Sequence, residues 1–410
     1  YEPADFGLLG LYVSISTIFS VASTARYDKA IMLPKSKIDS VNVLALSILI
    51  SLCVSIFTFL IILLFNEGLC NILNNQDISP WLYFLPLSVL FLGVFQSFNN
   101  WSNRHKQYKR IALSKVFKGS STGGVNLFFG AVNPGPFGLI GGYIIGHFIA
   151  SFYLVFRTIK NTKTFFSYIS WKKIRDNGKR YRRFPIFMIW SSWINSLSMH
   201  SPVLLLSYFF NSTIVGYYTF AYKILSLPVA SVGSAIGQVF YQKAAENDQR
   251  NIDIKAISAS VYKKLFILAV IPASILLVFG DLIFHFIFGD EWLMAGKYAQ
   301  ALSIWLLFVF VTAPLKNLVN VLEKQDKDLT FNIITILLRI AALITGALIF
   351  EDNFIAVLLF GIVSAVALFT YCMYLLHLIK LKIGKIFLFT FLRLGIVAAI
   401  FFAMRFALNI

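Results

Sequence analysis

Charge is scarce in this 410-residue chain: Asp, Glu, Lys and Arg together make up 13% of it, about half of what soluble domains carry. With 58% hydrophobic residues and a mean hydropathy of +0.76, a soluble globular domain is excluded. Acids are scarcer than bases, 18 against 36, which leaves little material for the paired carboxylates of an acid–base catalyst. Cysteine is nearly absent. Cys53, Cys70 and Cys372 have no CxxC spacing or His-rich neighbourhood, so neither a disulfide nor a metal site is expected and they read as filler in apolar helices. No cofactor is expected. The formal charge of +18 does not indicate nucleic acid, because the bases lie between apolar runs of ~20 residues rather than on a polar domain.

What remains is apolar and periodic. Twelve apolar segments are expected at about 6–25, 40–65, 80–99, 110–131, 136–156, 184–208, 214–240, 262–288, 297–321, 329–349, 354–378 and 386–407. Each is long enough to span ~30 Å of hydrocarbon at 1.5 Å per residue. The connections near 26–39, 100–110, 157–183, 241–264, 322–328 and 379–385 hold nearly all the Lys and Arg. Those between them hold Glu67, Asp77, Asp290, Glu291, Glu351 and Asp352, with Lys297 at one edge. This alternation places the basic connections in the cytoplasm and Tyr1 outside. Residues 157–183 carry ten Lys or Arg against Asp176 alone. That stretch reads as the cytoplasmic linker between two lobes, with an interfacial amphipathic piece around FFSYISWKKI on anionic headgroups.

The two lobes repeat. Lys106-Gln107 precedes one segment as Lys324-Gln325 precedes another, and Phe137-Gly138-Leu139-Ile140 opens one as Phe354-Ile355-Ala356-Val357 opens another. FGLLGLYVSISTIFSVASTARYDKA at 6–30 resembles VGYYTFAYKILSLPVASVGSAIGQVFYQKA at 215–244. The expected organisation is therefore all-α and polytopic: an N-lobe at 1–156, the linker at 157–183, a C-lobe at 184–378 and a further helix at 379–410. The segment 184–208 has no partner before residue 1, so the chain reads as N-terminally truncated by one helix, and a return helix after 386–407 is also open.

YEPADFGLLGLY with ARYDKAIMLP, and GYYTFAYKILSLP further on, resemble the oligosaccharide flippases of the multidrug/oligosaccharidyl-lipid/polysaccharide exporter superfamily. The resemblance covers essentially the whole chain and rests on short aromatic–Gly–Pro patterns. It implies two six-helix lobes related by a pseudo-twofold axis, a central cavity and alternating access. The absent first helix contributes basic residues to the cavity in relatives.

Charges at membrane depth cost about 2.5–3.5 kcal/mol each and mark substrate pathways. Lys118 lies roughly 12 Å inside its segment, Arg339 about 15 Å, and Lys223 near the midplane. Lys115 and Lys316 are shallower, about 7 Å in, and Arg393 about 10 Å. For Lys115, Lys316, Arg393 and Arg405, snorkelling to the headgroups competes with a cavity role; Lys118, Arg339 and Lys223 lie deeper than a stem reaches. Ion pairing finds no acid near the midplane, since Asp281 lies towards the outer end of its helix. An anionic ligand such as a diphosphate matches the deep cations. GSSTGG at 119–124, with Asn126 beyond it, is either a close helix-packing surface or a polar cavity wall. Asn195 and His200 are either cavity-lining or packing residues. Arg26 and Asp28 are either a cytoplasmic gate or a solvated helix end.

The function expected is a flippase of polyprenyl-diphosphate-linked oligosaccharide in a bacterial cytoplasmic membrane. Membrane lipids, and polysaccharide polymerase or export proteins, are the expected partners, and no bond is broken. A cation-coupled multidrug exporter of the same fold ranks second, since it needs an embedded carboxylate where this midplane is basic. A membrane glycosyltransferase or polymerase ranks third, because the outer connections are short and hold few acids.

Overall fold

A computed structural model describes residues 1–161, 166–228, 254–316, 318–321 and 324–408. Residues 229–240 of the seventh apolar segment, and all of the repeat passage 215–244 beyond Pro228, lie outside them. The described residues contain no β-strand. Their long helices number twelve, as expected: α1 (Pro3–Ser20), α2 (Lys37–Leu73), α3 (Leu85–Arg104), α4 (Tyr108–Val132), α5 (Pro136–Asn161), α6 (Ile189–Phe209), α7 (Ser212–Pro228), α8 (Ile254–Phe288), α9 (Leu293–Leu315), α10 (Gln325–Leu348), α11 (Asn353–Leu378) and α12 (Ile383–Ala407). Eight of them (α1, α2, α5 and α8 to α12) are long and apolar enough to cross a membrane.

The helix ends follow local chemistry. Glu2 and Asp5 form a capping box ahead of α1, with Pro3 in its first turn. Ser36 accepts the Ile38 N–H at the start of α2, and Asp352 accepts the Ile355 N–H at the start of α11. The first segment stops sooner than expected: α1 ends at Ser20, and a turn with Ala25 and Arg26 at positive φ (46° and 60°) leads into the short helix Tyr27–Ala30. In the opposite sense α2 overruns its expected end by about two turns of helix, past non-helical angles at Phe65.

The side-chain distribution is that of a membrane protein. On α2 the buried stripe is Ser47, Ser51, Ser55 and Thr58, whereas Leu52, Ile56, Phe57, Leu60, Leu63 and Leu64 are exposed. In water that arrangement would forfeit the burial of six large apolar side chains. In lipid it gains, because small polar residues let helices approach and hydrogen-bond while large apolar ones meet acyl chains. Ser47 bonds Ser97 on α3 at 2.9 Å, and Ser55 donates to the Pro86 carbonyl at 2.7 Å.

Two compact units divide the chain, Tyr1–Val215 and Gly216–Ile410. Within the first, α6 packs on α1: Trp193 Nε1 donates to the Ile18 carbonyl at 3.2 Å, and His200 Nδ1 bonds Ser14 Oγ at 3.0 Å. The segment 184–208, counted with the C-lobe on the sequence repeat, thus makes its contacts with the N-terminal unit. Within the second unit, α12 lies along α8, joined by the Tyr262–Thr390 hydroxyl pair at 2.6 Å.

Candidate functional site

Lys118 sits half-buried on α4, one turn after the exposed Lys115. Which way the following GSSTGG faces is settled by what surrounds each glycine. A methyl group added at Gly119, Gly123 or Gly124 would meet nothing within 4 Å. Close packing of α4 is instead made by the other helix. A Cβ at Gly142 of α5 would lie 2.1 Å from Asn126, and one at Gly146 would lie 2.1 Å from Thr122 and 3.1 Å from the Lys118 carbonyl. Thr122 donates to the Gly142 carbonyl at 3.0 Å. Asn126, with its amide turned to satisfy both its groups, donates to the Thr122 and Gly138 carbonyls. Thr122 and Asn126 are therefore packing residues. Lys115, Gly119 and Gly123 form the neighbouring i, i+4 row, where an added methyl at either glycine meets nothing, while Lys118 shares the row of Thr122 and Asn126 and lies half-buried on it. The packing signal was present in the sequence as Gly138, Gly142 and Gly146 at four-residue intervals.

Arg339 is differently placed. It is 5% exposed on α10, and its Nε donates to Ser364 Oγ of α11 at 2.9 Å. The guanidinium lies over the Trp305 ring at 5.3 Å and the Phe360 ring at 5.6 Å. Tyr222 of α7 stacks on Trp305 at 5.7 Å, and Tyr218 meets Phe360 edge-on at 6.3 Å. Four helices thus build an aromatic cage around one cation, and π faces supply part of the stabilisation that water would. Lys223, the residue after Tyr222, is exposed on α7, and its carbonyl accepts from Ser226 at 3.1 Å.

Other candidates are engaged elsewhere. Lys316 pairs with Asp328 at 3.5 Å, and Asp328 also accepts from Tyr371 and from Asn332. Arg405 does not snorkel: it pairs with Asp281 at 2.8 Å and also donates to the Val278 carbonyl. The outer-end acid set aside on inventory is thus the partner of an arginine in the adjacent helix. Arg393 lies 3.9 Å over the Phe389 ring. Asn195 is exposed on α6, and His200 takes the packing role through Ser14.

The Arg26–Asp28 pair is no solvated helix end. Asp28 is 1% exposed; it accepts from Thr24 at 2.7 Å and from Asn100 of α3 at 2.8 Å, with Lys29 at 3.9 Å. Arg104 donates to the Ile31 and Met32 carbonyls and to that of Pro34, fastening the same turn. Arg26 Nε is buried, and that burial lowers the guanidinium's affinity for its proton, partly offset by Asp28. Sequence alone left both readings open, because a mainly basic connection does not show which of its acids, Asp28 or Asp39, is buried. Among the described residues no group of three or more His, Cys, Asp or Glu is arranged to hold a metal ion.

Comparison with known proteins agrees with this architecture. The chain is 23% identical over 360 residues to the lipopolysaccharide biosynthesis protein WzxC of Escherichia coli K12, covering 83% of this chain and 68% of that one. It is 27% identical over 127 residues to the teichuronic acid biosynthesis protein TuaB of Bacillus subtilis 168, covering 31% of this chain but only 26% of TuaB. Its fold matches an inward-facing multidrug resistance MATE family transporter of the MOP superfamily, with TM-score 0.74, 13% identity, and coverage of 94% and 92%. It also matches the lipid II flippase MurJ in an inward closed conformation, with TM-score 0.70, 15% identity, and coverage of 98% and 86%. Residues 1–297 match the family described as "Polysaccharide biosynthesis protein", and the chain belongs to that family.

Proposed function

We propose that the protein moves a polyprenyl-diphosphate-linked oligosaccharide unit across the bacterial cytoplasmic membrane during polysaccharide biosynthesis, by alternating access of two lobes. The observation that carries the reading is the half-buried Lys118 of α4, next in the chain to Gly119, whose Cβ position meets nothing, and one turn from the exposed Lys115. A cation held at membrane depth beside unobstructed backbone suits a passing diphosphate, which brings the compensating charge. Lys223, also exposed, is the contribution proposed from the second lobe, and Asn195 a polar contact for the glycan. Arg339 acts by ordering α7, α9 and α11 around its cage, and Lys316 by closing its end of α9 onto Asp328. Arg26 and Asp28 form the proposed cytoplasmic gate. The protein breaks no bond, and the flipped unit passes to polymerase and export proteins.

The lobes are proposed to divide functionally at the basic linker, with 184–378 forming the second lobe and 379–410 an additional helix. The exporter alternative needs an embedded carboxylate available to Na⁺, H⁺ or a cationic drug. Two buried or half-buried acids, Asp28 and Asp281, already accept hydrogen bonds from protein donors at both oxygens, which favours the flippase. The test is polysaccharide surface display in a host whose own copy is deleted. Lys118→Ala in the full-length protein is expected to abolish display at normal membrane abundance; full display would overturn the reading.

A further inference from the structure

The linker between α5 and α6 is a docked shelf, not a loose tether. Its helix Trp171–Arg180 buries Ile174 and Asn177, and Tyr181 follows them inward. Asn177 Nδ2 donates to Asp39 at 3.3 Å, and the Tyr27 hydroxyl donates to the Gly178 carbonyl at 2.9 Å. Asn42 of α2 donates to the Tyr168 carbonyl at 2.8 Å and accepts the Ser170 N–H at 2.9 Å. These contacts fix the helix by its polar and apolar inner side.

The outer side is strongly basic. Lys172, Lys173, Arg175, Lys179 and Arg180 are exposed, Arg182 and Arg183 follow, and Asp176 is the only acid between Trp171 and Arg183. Trp171, 74% exposed, projects at the start of the helix. Long helices end at Asn161 before the linker and follow it from Phe184, so the outer side of the shelf faces the level of the membrane headgroups. Fixed cations beside a projecting indole complement that layer: phosphates meet the charges, and the indole partitions at the boundary.

We propose that the Trp171–Arg183 shelf binds anionic phospholipid headgroups, and that this binding sets the turn carrying Arg26 and Asp28 through the Tyr27–Gly178 hydrogen bond. Tyr27 stands between the left-handed Arg26 and the buried Asp28, so a shift of the shelf is passed to that turn. Lipid composition then regulates the cytoplasmic turn whichever cargo is moved. The inference rests on the membrane placement and not on the identity of the cargo.

The purified full chain in nanodiscs tests this, in phosphatidylcholine alone or with phosphatidylglycerol. Retained lipid is read by native mass spectrometry, and hydrogen exchange is read over residues 26–36. Phosphatidylglycerol is expected to be retained preferentially and to slow exchange over 26–36. Replacing Lys172, Lys173, Arg175, Lys179 and Arg180 with Gln should weaken that preference by more than about tenfold, and raised salt should weaken it too. Replacing Lys380, Lys382 and Lys385 with Gln should leave it intact. Tyr27→Phe should keep the lipid preference and lose the lipid-dependent protection; an unfolded variant would instead exchange fast in phosphatidylcholine too. Unchanged retention in the five-Gln variant, or protection persisting in Tyr27→Phe, would overturn the proposal. Neither readout involves transport, so the flippase reading can fail separately.

Discussion

At the sequence offset that relates Lys106-Gln107 to Lys324-Gln325, α4 corresponds to α10, and each carries a cation near its middle, yet the two cations live in different surroundings. At the offset that relates Gln107 to Gln325, Gly146 corresponds to Ser364. In the first unit that position presses against the Lys118 carbonyl; in the second it bonds the Arg339 guanidinium. Arg339 is enclosed by aromatic rings, whereas Lys118 is half-buried at the edge of the α4 packing row, next in the chain to the open Gly119. Depth in the membrane therefore does not by itself mark a binding residue. A charge surrounded by its own protein organises helices, and the less enclosed one is the cation proposed to meet a ligand.

Substitutions can break this contrast. Arg339→Ala should have the largest effect on stability, about 4 kcal/mol, because it leaves a cavity among Trp305, Phe360 and Tyr222 and forfeits two cation–π contacts. It would be read as a large fall in the thermal midpoint in detergent. Gly146→Leu should cost about 3 kcal/mol by driving a side chain into Thr122; the mirror substitution Gly123→Leu, on the open side, should leave the midpoint nearly unchanged while blocking transport. Asp28→Ala should cost about 2 kcal/mol, since it strands the Thr24 and Asn100 donors, and should speed hydrogen exchange over the 21–36 turn. Lys118→Ala should be smallest in stability, within about 0.5 kcal/mol of the parent, and complete in its loss of transport. If Lys118→Ala destabilised as much as Arg339→Ala, the two cations would share one structural role and the contrast would fail.

The sequence exposed the helices well, because continuous apolar runs and one-sided basic connections are dictated by lipid and by orientation. Both signals are local. The cage around Arg339 was not legible, since Tyr218, Tyr222, Trp305, Phe360 and Ser364 come from three helices separated by many residues. GSSTGG was ambiguous for a related reason: composition shows small residues but not which side of a helix meets a neighbour. The Arg405–Asp281 pair escaped because depth along each helix was counted singly, and pairing depends on how neighbouring helices lie against one another.

Accessibility of the α4 surface tests the central claim most directly. With the exposed Cys53 replaced by Ser, Gly123→Cys would be challenged with a charged, membrane-impermeant thiol reagent, with and without polyprenyl-diphosphate oligosaccharide. Labelling that the lipid-linked substrate suppresses is the predicted result. Labelling only by a lipid-soluble reagent, unaffected by substrate, would place this surface against acyl chains and contradict the account.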